Sequence, residues 1–585
     1  MIFQNTEVGW KQTEGKNIVK SFKVSATNIL LKSENEQFLI IENFSKMLNS
    51  VTIPIQILCT SEDINPNDWK LKIYNQKYYE FLKEKIEENK ITQKEFRIIV
   101  SYHDEIVLDN TIKVIQRCLK TCRLDYEETD EIKQSEIIPN IMNPNYVKIN
   151  DYYCKTLYVH NWPHLCSLGW LNDIYNNDSN INVSMFIHPV NKQEAIKYLN
   201  KKLAQNVSNS ILEDEDGTVD ADQFDDNITS AIMMRDELYK NNGKFFYMSY
   251  YITVKSSSLN QLNKDYDYIK TVLEGMDIES NDCYLLEDEG FKCTQFLGFD
   301  FLNKKYNFTT QPLKYFFPFI TSNIIDKEGV LIGENLLNGG LIFLNPFKYN
   351  SALMFVLGKV GGGKTYLIQL LCLRLLFMGI QVDIWDQEGE YLPLKQLSNL
   401  SNLKIHCYKD NSAYRNELQK YLKEMDENGT KLQPRFLIID EFWKYLDDDE
   451  IVRGINRIAL TGRKKYQGLC VISQMIEHLL ENDKVLSIVR MASIKALMQM
   501  EPNAAKVVQQ ILDLTDQEVS FLVSAQHEGI LFAGSRHVQF KALASEEEDK
   551  LITTDPIRKL QRKNEEVCQN VSERANFKQI TGTRI

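Results

Sequence analysis

Residues 352–365 read Ala352-Leu-Met-Phe-Val-Leu-Gly-Lys-Val-Gly-Gly-Gly-Lys-Thr365. A short apolar run opens directly into the pattern G-x-x-x-x-G-K-[ST], from Gly358 to Thr365. An apolar helical stretch, Tyr366 to Met378, follows and closes at Gly379. Strand, glycine-rich turn and helix in that order predict a loop that cradles phosphates. Gly358 and Gly363 supply backbone conformations denied to other residues, so that successive N–H groups, through Val360, Gly361 and Gly362, turn inward at anionic oxygens. The helix beginning near Lys364 adds the positive end of its dipole. Lys364 is expected at the β and γ phosphates and Thr365 on Mg²⁺. A nucleoside triphosphate and Mg²⁺ are the expected cofactors; the residues alone do not separate ATP from GTP.

Around this stretch short apolar runs alternate with helices: Leu341-Ile-Phe-Leu, Gln381 to Trp385, Lys404 to Tyr408, Arg435 to Asp440 and Gly468 to Ser473. Buried strands alternating with helices predict an α/β domain whose parallel sheet is covered on both faces. The run Phe436-Leu-Ile-Ile-Asp440-Glu441 ends a buried strand in two carboxylates. Asp440 is expected to hold Mg²⁺ through its water shell. Glu441 is expected to orient and polarise an attacking water, the mark of a hydrolase. Gln474, at the end of the strand Gly468–Ser473, is placed to sense the γ-phosphate. In the helix before that strand, Ile451, Ile455 and Ile458 share one face, which turns Arg457 and Arg463 outward. Arg463 is the candidate finger offered to a neighbouring subunit.

The preceding half of the chain reads as α+β. Residues 1–130 form an expected N-terminal subdomain, 131–150 a proline- and charge-rich linker, and 151–325 a second α+β subdomain with an acidic loop at 208–228. The P-loop domain is expected over 326–556 and a polar tail over 557–585. In the acidic loop Gly217 fits the sixth position of a calcium loop, but Leu212 and Gln223 then stand where Asp and Glu are needed, so it reads as a solvated loop. His160 and His164 have zinc spacing, but Pro163 interrupts the helix that spacing requires.

The chain has 585 residues, 43% hydrophobic and 25% charged, with formal net charge −12. That balance excludes a protein that coats nucleic acid with its whole surface. Eleven cysteines without a C-x-x-C pair predict reduced thiols of a cytosolic protein. The polar opening Met1-Ile-Phe-Gln-Asn-Thr-Glu predicts no secretory leader. The longest apolar run, Leu367 to Ile380, is interrupted by Gln369 and Arg374 and is too short to span a bilayer.

The set formed by Gly358…Lys364-Thr365, Asp386-Gln-Glu-Gly-Glu-Tyr391, Phe436…Asp440-Glu441, Gly462-Arg463-Lys464 and Gln474 resembles the large transfer ATPases of type IV secretion and conjugation systems. These group with the FtsK/HerA pumping ATPases. Upstream, Tyr153 to Pro163, Gly169-Trp-Leu and Val183 to Pro189 are similar to the N-terminal region of that family. Leu514-Thr-Asp-Gln-Glu518, Glu528-Gly529-Ile-Leu and Thr553-Thr-Asp-Pro556 resemble its Gram-positive branch. The resemblance implies ATP as the nucleotide and a RecA-like motor. It also implies assembly into a homo-oligomer, a hexamer, peripheral at the inner face of the cell membrane. The partners it implies are membrane components of a channel, with transferred DNA or protein as cargo. Val360 departs from the family, which usually has Ser or Thr there. Two other readings stand beside this one: a DNA-translocating coupling ATPase or helicase of the same type, and a nucleotide-clamped scaffold with little turnover.

Overall fold

The computed structural model describes residues 2–552 apart from 7–8, 14–17, 27–28, 30–31, 33, 71, 90–91, 130–138, 164–165, 178, 217–220, 241–242, 321–322, 327, 338, 397–400, 409, 428–433, 475–482 and 535. The expected tail 557–585 and the Thr553–Pro556 motif lie outside the described residues. The chain divides into two compact units, 1–64 with 90–322 and 65–89 with 323–585.

In the first unit a hairpin of β1 (Ile2–Thr6) and β2 (Gly9–Thr13) precedes a large antiparallel sheet. Its strands are β3 (Ile18–Val24), β4 (Ile55–Asp63), β5 (Thr92–Tyr102), β6 (Tyr126–Thr129), β7 (Ile141–Asn143), β8 (Tyr146–Ile149), β9 (Tyr152–Asn161), β10 (Ile181–Val190), β11 (Phe245–Ser256), β12 (Glu279–Asp282) and β13 (Tyr306–Thr309). The order is β6-β3-β5-β4-β10-β11-β9-β8-β7, with β12 on β9 and β13 on β11. The two α+β subdomains expected at 1–130 and 151–325 therefore share one sheet, joined where β4 pairs with β10 from Cys59↔Val183 to Ile55↔Ile187. Both strands are buried along this stretch, and leaving either as an edge would expose unpaired N–H and C=O groups.

Two further expectations are corrected. Residues 139–150, read as linker, carry β7 and β8, which turn at Pro144-Asn145 and add to β9; the turn residues belong to a hairpin, not a domain boundary. The acidic stretch is helical over Lys192–Asp216 and again from Ala221 to Tyr239, with only 217–220 undescribed between them. Glu and Ala are good helix formers, so acidity by itself does not make a loop.

The second unit holds β14 (Val330–Asn335), β15 (Leu341–Leu344), β16 (Leu353–Leu357), β17 (Gln381–Trp385), β18 (Leu403–His406), β19 (Arg435–Ile439), β20 (Gln467–Ser473), β21 (Ile494–Met498), β22 (Glu528–Ala533) and β23 (Arg536–Ala542). The sheet order is β15-β14-β23-β22-β21-β16-β20-β19-β17-β18. From β21 to β18 all neighbours are parallel, and β16 and β20 are buried at every position. The remaining strands are antiparallel. The expected α/β fold with a RecA-like parallel core is present. An extra strand, β20, stands between β16, which leads into the phosphate loop, and β19, which ends in the paired carboxylates.

Residues 65–89 were expected within the N-terminal subdomain, yet they belong to this second unit. Trp69 Nε1 donates to the Gly329 carbonyl at 2.9 Å and its ring packs on Phe343. Tyr74 N–H donates to the Phe377 carbonyl at 2.7 Å, and the Tyr78 ring packs tilted against Phe377 at 5.7 Å. The helix Gln76–Asn89 looks charged in sequence because its apolar stripe is narrow; that stripe is what the unit buries.

Among the described residues every cysteine is a free thiol, most of them buried. Among the same residues no helix is long and apolar enough to cross a membrane.

Candidate nucleotide site

The phosphate loop runs from β16 into the helix Lys364–Phe377. Gly361 and Gly363 have φ of +74° and +95°, a region that strains any side chain. A Cβ on Gly358 would lie 2.8 Å from the Cβ of Met498, so this first glycine is fixed by the strand beside it. The loop is also tied to that neighbour by Lys359 N–H donating to the Gln499 carbonyl at 2.8 Å. Val360 stands at the tip with 77% of its surface exposed. Lys364 is buried, and its Nζ donates to the carbonyls of Gly358 and Lys359 at 2.7 and 2.9 Å. Burial depresses its pKa, opposed by the carboxylates of Glu441, Asp440 and Glu390.

Asp440 follows β19 directly and accepts from the Glu441 N–H at 2.9 Å. Burial and then the neighbouring Glu441 push it up to about 7, with Glu390 and Asp386 adding to the rise. Glu441 is a buried non-glycine residue with φ of +50°, a conformation retained where surrounding contacts over-determine it. Its two carboxylate oxygens accept from different donors, one from Gln474 Nε2 and the other from Trp443 Nε1. Gln474 reaches it because β20 lies beside β19 and both strands end at the same edge.

Asp386, at the end of β17, is fully buried and accepts from the N–H groups of Gly389 and Tyr391 at 2.8 and 2.9 Å. The run Asp386–Tyr391 thereby forms a fixed turn over the loop. Within it Glu390 accepts from the Thr365 hydroxyl at 2.7 Å.

The structure thus gathers Lys364, Thr365, Asp440, Glu441 and Gln474 at the C-terminal edge of the parallel strands. Arg463 lies elsewhere. It sits on the turn Gly462–Lys465 before β20, exposed, with its guanidinium donating to Asn350 Oδ1 at 3.2 Å. One strand of seven residues, about 20 Å, separates it from Gln474.

Trp443, Glu390 and His527 complete the site and had no assigned role in sequence. His527, at φ +59°, comes against the loop, with its Nδ1 3.6 Å from where a Gly363 Cβ would stand. Glu390 was visible inside a recognised run, and Trp443 stands two residues from Glu441; His527 reaches the loop only through the tertiary fold.

The oxygen donors Thr365 and Asp440, with the carboxylates of Glu441 and Glu390 around them, suit a hard cation. Among the described residues no three His, Cys, Asp or Glu side chains form a metal cage. Mg²⁺ takes one or two protein oxygens and completes its shell from phosphates and water, so the donor set fits it.

Residues 346–574 match the family model described as "Helicase HerA, central domain". No curated protein matches the chain significantly. Among solved structures the chain is similar to VirB4 of Thermoanaerobacter pseudethanolicus, at 15% identity over 39% of this chain and 100% of that one, with a TM-score of 0.33. It is similar to the pCW3 conjugation coupling protein TcpA, in a monomer form with ATPgS, at 19% identity over 41% and 75% of the two chains, TM-score 0.29. It is also similar to the genome packaging NTPase B204 of Sulfolobus turreted icosahedral virus 2, in complex with AMPPCP. There the identity is 17% over 34% of this chain and 100% of the other, TM-score 0.26.

Proposed function

We propose that this protein, with a HerA-type central domain at residues 346–574, is an ATP-hydrolysing motor that energises a conjugative or type IV secretion channel. The observation that carries hydrolysis is Glu441, aimed by Gln474 and Trp443 and standing one residue beyond Asp440 at the mouth of the phosphate loop. Lys364 leaves the loop carbonyls for the β and γ phosphates. Thr365 and Asp440 hold Mg²⁺, which when bound neutralises charge that builds on the phosphate oxygens. Glu441 orients a water for in-line attack and takes its proton. Gln474, bonded to Glu441, links that carboxylate to the strand that follows Arg463, so the state of the phosphate site reaches the turn offered to a neighbour. Arg463 serves the site of the next subunit in a homo-oligomer, a hexamer. The first unit attaches this motor to membrane components of the channel, at the inner face of the cell membrane.

The test is a Mg²⁺-dependent ATPase assay on the full chain together with a pull-down from the native host. Steady hydrolysis, lost in Lys364→Ala, and co-purification of membrane channel proteins are expected. Nucleotide binding without turnover above background would leave the clamped scaffold as the better description. The match to a helicase central domain favours a second reading, DNA translocation. DNA-stimulated hydrolysis that weakens steeply with salt would support it, since phosphate contacts release counterions.

A further inference from the structure

The run Asp386–Tyr391 points at the site without having been given work there, and its geometry is built to present one atom pair. Asp386 pins the turn from below through the N–H groups of Gly389 and Tyr391. The buried Gln369, one helical turn beyond Thr365 on the same helix, donates to the Glu390 carbonyl at 2.8 Å. Tyr391 is fully buried beside it. Gly389, at φ +81°, makes the reversal that lets the chain present Glu390. With its backbone held from the strand and from the helix, Glu390 accepts a hydrogen bond from the Thr365 hydroxyl at 2.7 Å.

A threonine hydroxyl has one proton and two lone pairs. Once the proton is committed to a carboxylate, a charge-assisted bond, the rotation of the O–H is fixed and the lone pairs face away from that carboxylate. A hydroxyl that ligates a cation must offer a lone pair in one direction, and an outer partner that fixes the ligand also raises its basicity. We propose that Glu390 is a positioning residue of the Mg²⁺ site: it accepts the Thr365 hydroxyl hydrogen bond and thereby aims the Thr365 oxygen's lone pairs toward the metal position, without itself touching nucleotide. This rests on the ATPase reading above. The opposite role is equally concrete. If Glu390 instead occupied Thr365 so as to keep metal away, its removal would tighten metal binding.

The two roles differ in sign, and the metal can be read directly. Mn²⁺ binding to the full chain with AMPPCP is followed by electron paramagnetic resonance, and AMPPCP binding is measured separately in EDTA. Glu390→Ala is expected to weaken Mn²⁺ roughly 10- to 100-fold, while AMPPCP affinity in EDTA stays the same or rises as a negative charge leaves. Glu390→Gln keeps the shape and an acceptor oxygen, so its Mn²⁺ affinity is expected between wild type and Glu390→Ala. Unchanged or tighter Mn²⁺ binding in Glu390→Ala overturns the assignment. So does an equal loss of nucleotide with and without metal in both variants, which marks a structural role. A wild-type chain that binds no AMPPCP in either condition overturns the ATPase reading, and this assignment with it.

Discussion

Glu441 and Glu287 are both buried carboxylates, and the fold treats them in opposite ways. Glu441 has a donor on each oxygen; Glu287, at the start of the helix Glu287–Cys293, accepts from Thr156 N–H at 2.8 Å through one oxygen, and the other has no partner among the described residues. Burial pushes Glu287 up to about 8, eased by the Thr156 bond and by Lys155. Its folded form therefore binds a proton that the unfolded chain, with an ordinary carboxyl near 4.5, has already lost, and stability falls as pH rises between those values. Glu287→Gln is expected to remove this fall and to stabilise the first unit by roughly 3–5 kcal/mol at pH 8.5 with little effect at pH 4.5, as read from thermal unfolding at the two pH values. At the nucleotide site Glu441→Gln is expected to bind ATP and stall, with turnover reduced by about 10²-fold or more, measured as bound nucleotide retained after gel filtration. Residues of this second kind were legible in sequence because the chemistry fixes their spacing. Glu287 was not: nothing in Leu-Leu-Glu-Asp-Glu-Gly announces which acid is buried, since that depends on strand β9 beside it.

At the scale of elements, the phosphate-loop helix is held from behind by a buried ion pair. Arg374 is fully buried and donates to Glu548 through Nε at 2.9 Å and Nη2 at 2.7 Å, and to the carbonyls of Leu331 and Leu543. Its guanidinium also faces the rings of Tyr78 and Phe81 at 5.2 and 5.8 Å. The last described helix, Glu546–Ile552, thereby clamps the helix that begins at Lys364. Glu548→Ala strands the guanidinium and is expected to cost about 3–5 kcal/mol of unfolding free energy. Lys77→Ala, at the exposed pair with Glu547, is expected to cost less than about 1 kcal/mol. Denaturant titrations of the two variants check the contrast. Elements bounded by strong local signals, such as β16 with its loop and helix, were readable from the chain. Those set by distant partners were not. Pro144-Asn145 looks the same in a linker as in the β7–β8 turn, and the acidic stretch at 208–228 showed its charge but not its helices. Arg374 read only as an interruption of an apolar run, because its partner lies 174 residues away.

For the whole molecule, the decisive spacing is that between Arg463 and the phosphate site of its own chain: Arg463 precedes β20, and Gln474 of the site follows it. Direct contact of Arg463 with its own phosphate site is thus out of reach, and the trans role proposed above is tested by mixing variants. Arg463→Ala alone and Glu441→Gln alone are expected to be inactive as pure assemblies, whereas mixtures regain activity at interfaces where an intact site faces an intact arginine. Absence of recovery at every mixing ratio in an ATPase assay counts against the trans role. The chain's own route adds a constraint of a different kind. Residues 65–89 leave between β4 and β5, which pair with each other, and pack instead with Gly329, Phe343 and Phe377. During synthesis those partners emerge from 260 to about 300 residues later, roughly 13–60 s at ordinary elongation rates. For that interval Trp69 and Tyr78 have no native surface to cover, while β4 and β5 can already close around the base of the excursion. The second unit is thus assembled from a short early segment and the closing stretch from residue 323 onward, and a chain begun at residue 323 is born without part of its own core.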